Sequence, residues 1–195
     1  AIALPDAMAT LDLGRRLGER IGPGDVICLS GNLGAGKTTF ANEFLPSTDG
    51  DLVFVNADEI ARSMTDTPLR PAHRDLRAGR MMLSEIDRLV RSKAEFMFET
   101  TLASLTYAAR IPAWRTQGYH VGLVYLRLPG VEMSIERVRR RVAAGGHDIP
   151  KPVIRRRFAR SLECLETRYK PVVNEWYIYD SVEGDFKLAQ AWDDP

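Results

Sequence analysis

The chain has 195 residues, of which 45% are hydrophobic and 27% charged, a balance that suits one globular domain spanning 1–195 with a sizeable core. A formal net charge of +1 argues against broad, direct nucleic-acid binding, and no apolar run has the length of a membrane span. The opening Ala-Ile-Ala-Leu-Pro-Asp lacks the basic start and apolar centre of a signal peptide, so a cytoplasmic location is expected, with Cys28 and Cys164 as reduced core thiols.

In chain order, residues 1–22 read as an N-terminal helical segment, with Leu11, Leu13 and Leu17 on or near one face between Thr10 and Ile21. Gly22-Pro-Gly24 stops it, and Asp25 to Ser30 reads as a strand. A glycine-rich loop follows, and Thr39 to Leu45 can continue as a helix. Leu52 to Val55 is a short apolar run, as expected of a strand buried on both faces. Pro71 can open a long helix with Leu76, Met82, Leu83, Ile86, Leu89 and Val90 at helical spacing. Phe96 to Phe98 reads as a third strand and Val121 to Leu128 as a fourth. Leu105 to Gln117 reads as a helix between them, broken or kinked at Pro112. Val131 to Val142 is a helix that stops at Ala143-Ala-Gly-Gly146, Pro152 opens another, and Glu175 to Tyr179 is a fifth strand. This alternation predicts an α/β fold with a parallel five-stranded sheet and helices on both faces, of the P-loop NTPase type once the Gly-Asn-Leu-Gly-Ala-Gly-Lys-Thr run of Gly31 to Thr38 is counted. Ligands of such sheets bind beyond the carboxyl ends of the strands.

Gly31 to Thr38 reads Gly-Asn-Leu-Gly-Ala-Gly-Lys-Thr, which fits G-x-x-x-x-G-K-[ST] in a strand–loop–helix context. Asn32, Leu33, Gly34, Ala35, Gly36, Lys37, Thr38 and Thr39 are therefore expected to bind the phosphates of ATP. Their backbone N–H groups and the following helix dipole would face the phosphate oxygens. Lys37 should reach the β- and γ-phosphates, and the Thr38 hydroxyl should ligate Mg²⁺.

Asn56-Ala-Asp-Glu59 follows the second strand and faces the same crevice. Asp58 suits a general base that accepts the proton of an attacking hydroxyl; it also suits a helix N-cap, and Glu59 is a competing base. Glu99-Thr-Thr101 closes the third strand, where a carboxylate and hydroxyls can grip a polyol or reach Mg²⁺ through water; a capped turn is the plainer reading. Arginines crowd between 137 and 160. Arg137 and Arg141 lie one turn apart, ahead of a glycine hinge and a second basic helix, a pattern that suits a lid over the phosphates. Guanidinium groups there would offset charge on a phosphoryl group in flight. His147 directly follows the glycines.

From about Phe40 onward the chain resembles the zeta-toxin-like family of P-loop kinases. The matching segments include Phe54-Val-Asn-Ala-Asp58-Glu-Ile, Phe98-Glu99-Thr-Thr101-Leu, Arg137 to Arg141, Gly145-Gly-His147-Asp-Ile-Pro150 with Ile154-Arg-Arg-Arg157, and Glu175-Trp-Tyr-Ile-Tyr-Asp180. The resemblance implies an ATP-dependent small-molecule kinase whose acceptor is a hydroxyl of a UDP-activated amino sugar, with an antitoxin protein as a partner. By the same likeness Asp58 takes the base position, Glu99 and Thr101 the substrate side, and Arg137 a catalytic, phosphate-binding position. Arg141, His147 and Arg157 fall with the nucleotide-binding lid, although His147 stands near a place where well-known members carry arginine.

The N-terminal part, about 1–40, resembles instead the ATPase subunit of the bacterial threonylcarbamoyl-adenosine tRNA-modification machinery. That likeness rests on Leu4-Pro-Asp, on Ala9 to Leu17, and on Gly24 to Phe40. The two likenesses meet at the helix after the phosphate loop, as a natural recombinant or a constructed chimera would have it. Two further functions therefore stand beside the kinase: an ATPase module acting in a tRNA-modification complex, and a nucleotide-binding protein with little chemistry.

Overall fold

The structure is a computed structural model that describes residues 24–44, 52–64, 71–145, 148–182 and 185–192. The expected helix from Thr10 to Ile21 lies outside the described residues. Among the described residues six strands form one sheet: β1 (Asp25–Gly31), β2 (Val53–Val55), β3 (Phe96–Thr100), β4 (His120–Arg127), β5 (Glu175–Val182) and β6 (Asp185–Ala191). Their order is β2-β3-β1-β4-β5-β6. The helices are α1 (Lys37–Phe44), α2 (Ala57–Ser63), α3 (Pro71–Ser92), α4 (Ile111–Thr116), α5 (Val131–Ala143) and α6 (Lys151–Cys164), with a π-helical turn at Leu165–Tyr169.

The five expected strands are present and parallel. The expectation of five is corrected to six, because β6 adds antiparallel to β5. Its alternation explains it: Phe186 and Leu188 are buried while Lys187 and Ala189 face outward, the pattern of a half-covered antiparallel edge. A second correction concerns Leu105 to Gln117. Only Ile111–Thr116 is helical, with Pro112 in its first turn, where the missing N–H has no helical partner to lose. The preceding residues form turns, with the Tyr107 carbonyl accepting from the amides of Arg110 and Ile111.

β1 pairs with β3 on one side and β4 on the other, so the chain reverses its direction of travel at the carboxyl end of β1. That end is a topological switch point, where the strand ends part and leave a crevice. The sheet is buried on both faces. Val26 and Cys28 face a layer with Phe96, Phe98, Met82, Ile86 and Trp114, whereas Ile27 and Leu29 face Met97, Leu126, Phe40 and Phe186. Trp114 stands edge-on to Phe96 and Phe98, with ring centroids 5.9 Å away in each case. Truncating Phe98 to alanine would cost about 3–5 kcal/mol and loosen β3, whose end carries Glu99.

Candidate active site

The phosphate loop curls because its glycines take backbone conformations that side chains resist. Gly34 has φ +78° and Gly36 φ +87°. A Cβ on Gly34 would lie 2.8 Å from Cβ of Arg137, so this glycine also admits α5. Asn32 braces the loop from within. Its Nδ2 donates to the Tyr125 hydroxyl at 3.0 Å, and its Oδ1 accepts from the Leu128 amide at 2.9 Å. The Tyr125 hydroxyl in turn lies 2.8 Å from Ser161 Oγ on α6. All three side chains are buried, and burial pushes the Tyr125 hydroxyl up to about 12, so it stays a neutral partner.

Lys37 stands at the start of α1 and is almost fully buried. Its Nζ donates to the carbonyls of Gly31 at 3.3 Å and Asn32 at 3.2 Å, and lies 3.7 Å from Glu99 Oε1. The Thr38 hydroxyl lies 3.5 Å from Glu99 Oε2. Glu99 thus closes β3 directly beside the loop. Burial raises its pKa and the Asp58 charge adds to the rise, while the Lys37 charge and the Thr38 hydroxyl oppose it. The arrangement offers hard oxygen donors, the Thr38 hydroxyl and the Glu99 carboxylate, of the kind a Mg²⁺–phosphate complex uses.

Asn56 fixes this carboxylate. Its Nδ2 donates to Glu99 Oε2 at 2.8 Å, and its Oδ1 accepts from the Asp58 amide at 2.7 Å. Asn56 has extended backbone, φ −132° and ψ 123°, and is the N-cap of α2. The capping role open to Asp58 in the sequence therefore belongs to Asn56. Asp58 lies inside the first turn of α2, exposed, with its charge felt by Glu99; Glu59 is beside it and also exposed. Thr101 is half-buried just beyond β3. The next residue, Leu102, is buried in a left-handed conformation with φ +55°, and Thr100 Oγ1 accepts from its amide at 3.3 Å. Such a leucine holds about 1–3 kcal/mol of backbone strain, offset by its burial, and turns the chain sharply at the rim of the site.

α5 grips the other side of the loop. Ser134 Oγ donates to the Leu33 carbonyl at 2.5 Å. Arg137 Nη1 donates to the Gly34 carbonyl at 3.2 Å and to Ser181 Oγ at 2.9 Å, and Nη2 donates to the Ser181 carbonyl at 3.3 Å. Burial, with the Arg140 charge second, holds the Arg137 pKa below the usual guanidinium range. Between α5, the loop and β6 lies a cleft of about 850 Å³, lined by Gly34, Gly36, Thr39, Met133, Arg137 and Phe186. The Phe186 ring approaches Gly36 and meets Phe40 edge-on at 5.4 Å.

The structure thus gathers Lys37, Thr38 and Glu99 at one crevice, with Asp58 near Glu99, and places Thr39 and Arg137 in the adjoining cleft. Arg141 is half-buried one turn beyond Arg137, whereas Arg157 is exposed on α6. His147 lies outside the described residues. Sequence reasoning set Asn56 at the crevice without a role and missed Ser134, Ser181, Tyr125, Ser161 and Phe186 as parts of the site. Only Asn56 carried a local signal, since Asn is a favoured N-cap and stands two residues before Asp58.

The Zeta toxin family model matches residues 16–183. An uncharacterized protein of Haemophilus influenzae is 27% identical over 128 residues, covering 66% of this chain and 88% of that protein. The tRNA threonylcarbamoyladenosine biosynthesis protein TsaE of Mycobacterium bovis is 52% identical over 46 residues, 24% of this chain and 27% of TsaE. Among solved structures, the PezAT chromosomal toxin–antitoxin system of Streptococcus pneumoniae matches at TM-score 0.64 and 18% identity, covering 94% of this chain and 79% of that chain. The AvrRxo1-ORF1:-ORF2 structure with ATP matches at TM-score 0.63 and 17% identity, covering 95% of this chain. The chain spans 65% of that solved chain and 46% of the one matched in the Pnkp1/Rnl/Hen1 RNA repair complex. At these identities the structural likeness speaks to the fold.

Proposed function

This chain belongs to the zeta-toxin family of P-loop kinases, and we propose that it transfers the γ-phosphate of ATP to a hydroxyl of a small molecule, with a UDP-activated amino sugar as the acceptor. The observation that carries this reading is the meeting of Lys37, Thr38 and Glu99 at the ends of β1 and β3, beside Asp58.

In the proposed reaction the acceptor O–H proton passes to the Asp58 carboxylate as the acceptor oxygen bonds to the γ-phosphorus. The bond from that phosphorus to the β-phosphate oxygen breaks, and ADP leaves. Lys37 exchanges the Gly31 and Asn32 carbonyls for phosphate oxygens and offsets charge that shifts during transfer. Arg137 holds the loop through Gly34 and Ser181 and presents its remaining N–H groups to the nucleotide. Glu99, kept in place by Asn56, and Thr101 orient the acceptor. Thr38 and Glu99 would hold Mg²⁺, which when bound neutralises phosphate charge. Arg141, His147 and Arg157 complete the proposed lid over the nucleotide.

An antitoxin protein is the proposed partner, in keeping with the toxin–antitoxin complex of the PezAT neighbour. The 52% identical segment shared with TsaE favours a second reading, an ATPase module working in tRNA modification. The test is mass spectrometry of a metabolite extract incubated with the protein and ATP. A species heavier by one phosphoryl group supports the kinase and names its acceptor. ADP and inorganic phosphate with no phosphorylated metabolite would overturn the kinase in favour of the ATPase.

A further inference from the structure

α3 has a second face whose chemistry the phosphotransfer site does not use. One side of this 22-residue helix is core, with Ala78, Met82, Ile86, Leu89 and Val90 buried. On the opposite side Arg77, Arg80, Met81, Ser84, Glu85, Arg88 and Arg91 line a shallow groove of about 450 Å³. At 3.6 residues per turn Arg77, Met81, Ser84, Arg88 and Arg91 fall within an arc of about 80° and step by four and three residues, the spacing of a helix-pairing seam, with Arg80 and Glu85 on its two flanks. The seam runs about 21 Å from Arg77 to Arg91, at 1.5 Å per residue.

The charges here are unlike those of the neighbouring basic helices. On α5, Glu136 pairs with both Arg139 and Arg140, and Glu132 pairs with Arg155 of α6. On the α3 seam Glu85 pairs with Arg88, while Arg77, Arg80 and Arg91 form no ion pair among the described residues. Met81 is 44% exposed among them, and Leu76 on the flank is 57% exposed. Large apolar side chains set among arginines with no ion pair among the described residues favour a partner that is both acidic and amphipathic. A nucleic-acid backbone would match the arginines but would leave Met81 and Leu76 without apolar contact.

We propose that the outer face of α3 docks an acidic amphipathic helix of a partner protein, with partner carboxylates on Arg77, Arg80 and Arg91 and an apolar residue against Met81. The docking face shares no residue with the nucleotide cleft, so it is independent of the phosphotransfer reading.

The test uses the full chain and a fluorescein-labelled helical peptide about six turns long, carrying glutamates and leucines along one seam. A scrambled peptide of the same composition and an oligouridylate are the comparators. Fluorescence anisotropy should show the seam peptide binding the wild type at least about tenfold more tightly than the scrambled one. Arg77→Glu with Arg91→Glu should weaken it about tenfold or more, and Met81→Asp should weaken it independently, with thermal unfolding unchanged because these side chains are exposed. Equal binding of seam and scrambled peptides, or no binding, overturns the proposal. Displacement of the peptide by oligouridylate with Met81→Asp silent also overturns it, in favour of a nucleic-acid surface.

Discussion

Asn56 joins the two halves of the site, and replacing it in two ways separates its roles. Its Oδ1 caps α2 and its Nδ2 holds Glu99. Asn56→Ala removes both. Loss of an N-cap costs about 1 kcal/mol, and loss of a hydrogen bond to a charged group about 1.5–3 kcal/mol. The sum, about 2–4 kcal/mol, is not reduced much by solvent, because the Glu99 side chain is only 15% exposed. For a chain of this size it corresponds to a fall in Tm of roughly 5–15 °C. Asn56→Asp keeps the cap but sets a second carboxylate against Glu99. Like charges there raise the pKa of the pair further. The folded state then binds a proton more tightly than the unfolded chain, so the variant is least stable at neutral pH and recovers as pH falls through the raised pKa. Thermal unfolding of wild type, Asn56→Ala and Asn56→Asp between mildly alkaline and mildly acidic pH reads all of this. An Asn56→Asp protein as stable as wild type at neutral pH, or no recovery on acidification, would refute the proposed coupling of cap to carboxylate.

Three further outcomes are expected. Lys37→Ala should retain the far-ultraviolet circular dichroism of the wild type while turnover falls roughly a hundredfold or more, the usual worth of a preorganised charge; wild-type phosphoryl transfer would remove Lys37 from the reaction. Because burial and Asp58 raise the Glu99 pKa, the nucleotide-free protein should lose stability as pH rises from the ordinary glutamate range through that raised value, and Glu99→Gln should flatten this dependence; thermal melts across that range decide it. Gly34→Ala meets Arg137 Cβ at 2.8 Å in a backbone conformation alanine resists, so it should cost about 1–3 kcal/mol in a thermal melt and weaken nucleotide binding in a titration.

Much of the fold was legible because its signals are local. The β1–loop–α1 unit, the helix opening at Pro71 and the five parallel strands each rest on contiguous apolar runs or on spacing along one helix face. The misses are non-local or short. β6 reads as a polar tail unless Phe186 and Leu188 are taken as an alternating pair, which matters only once β5 lies beside it. The segment from Leu105 has helical composition, but its backbone bonds close into turns and the helix waits for Pro112. At the site, Lys37 and Thr38 are read from spacing and Arg137 from the arginine-rich stretch and the family likeness, whereas Ser134 reaches the Leu33 carbonyl from over a hundred residues away and Ser181 joins only through Arg137. Tyr125 lies on a strand and Ser161 on a helix 36 residues later, and only the packed fold brings Ser161 to Tyr125 and Tyr125 to Asn32. The N-terminal likeness to TsaE matches a short stretch of high identity, while the Zeta toxin model runs through to residue 183.

The central claim is that this crevice moves a phosphoryl group to a hydroxyl with Asp58 as base, and Asp58→Asn probes it most directly. Since Asn56 caps α2, this change leaves the cap intact while it removes the proton acceptor and the charge that Glu99 feels. Transfer of label from γ-phosphate-labelled ATP to the acceptor should fall about a hundredfold to ten-thousandfold, with ATP affinity and Tm held. Transfer at the wild-type rate would contradict the account, and if Glu59→Gln abolished it instead, the base would be Glu59.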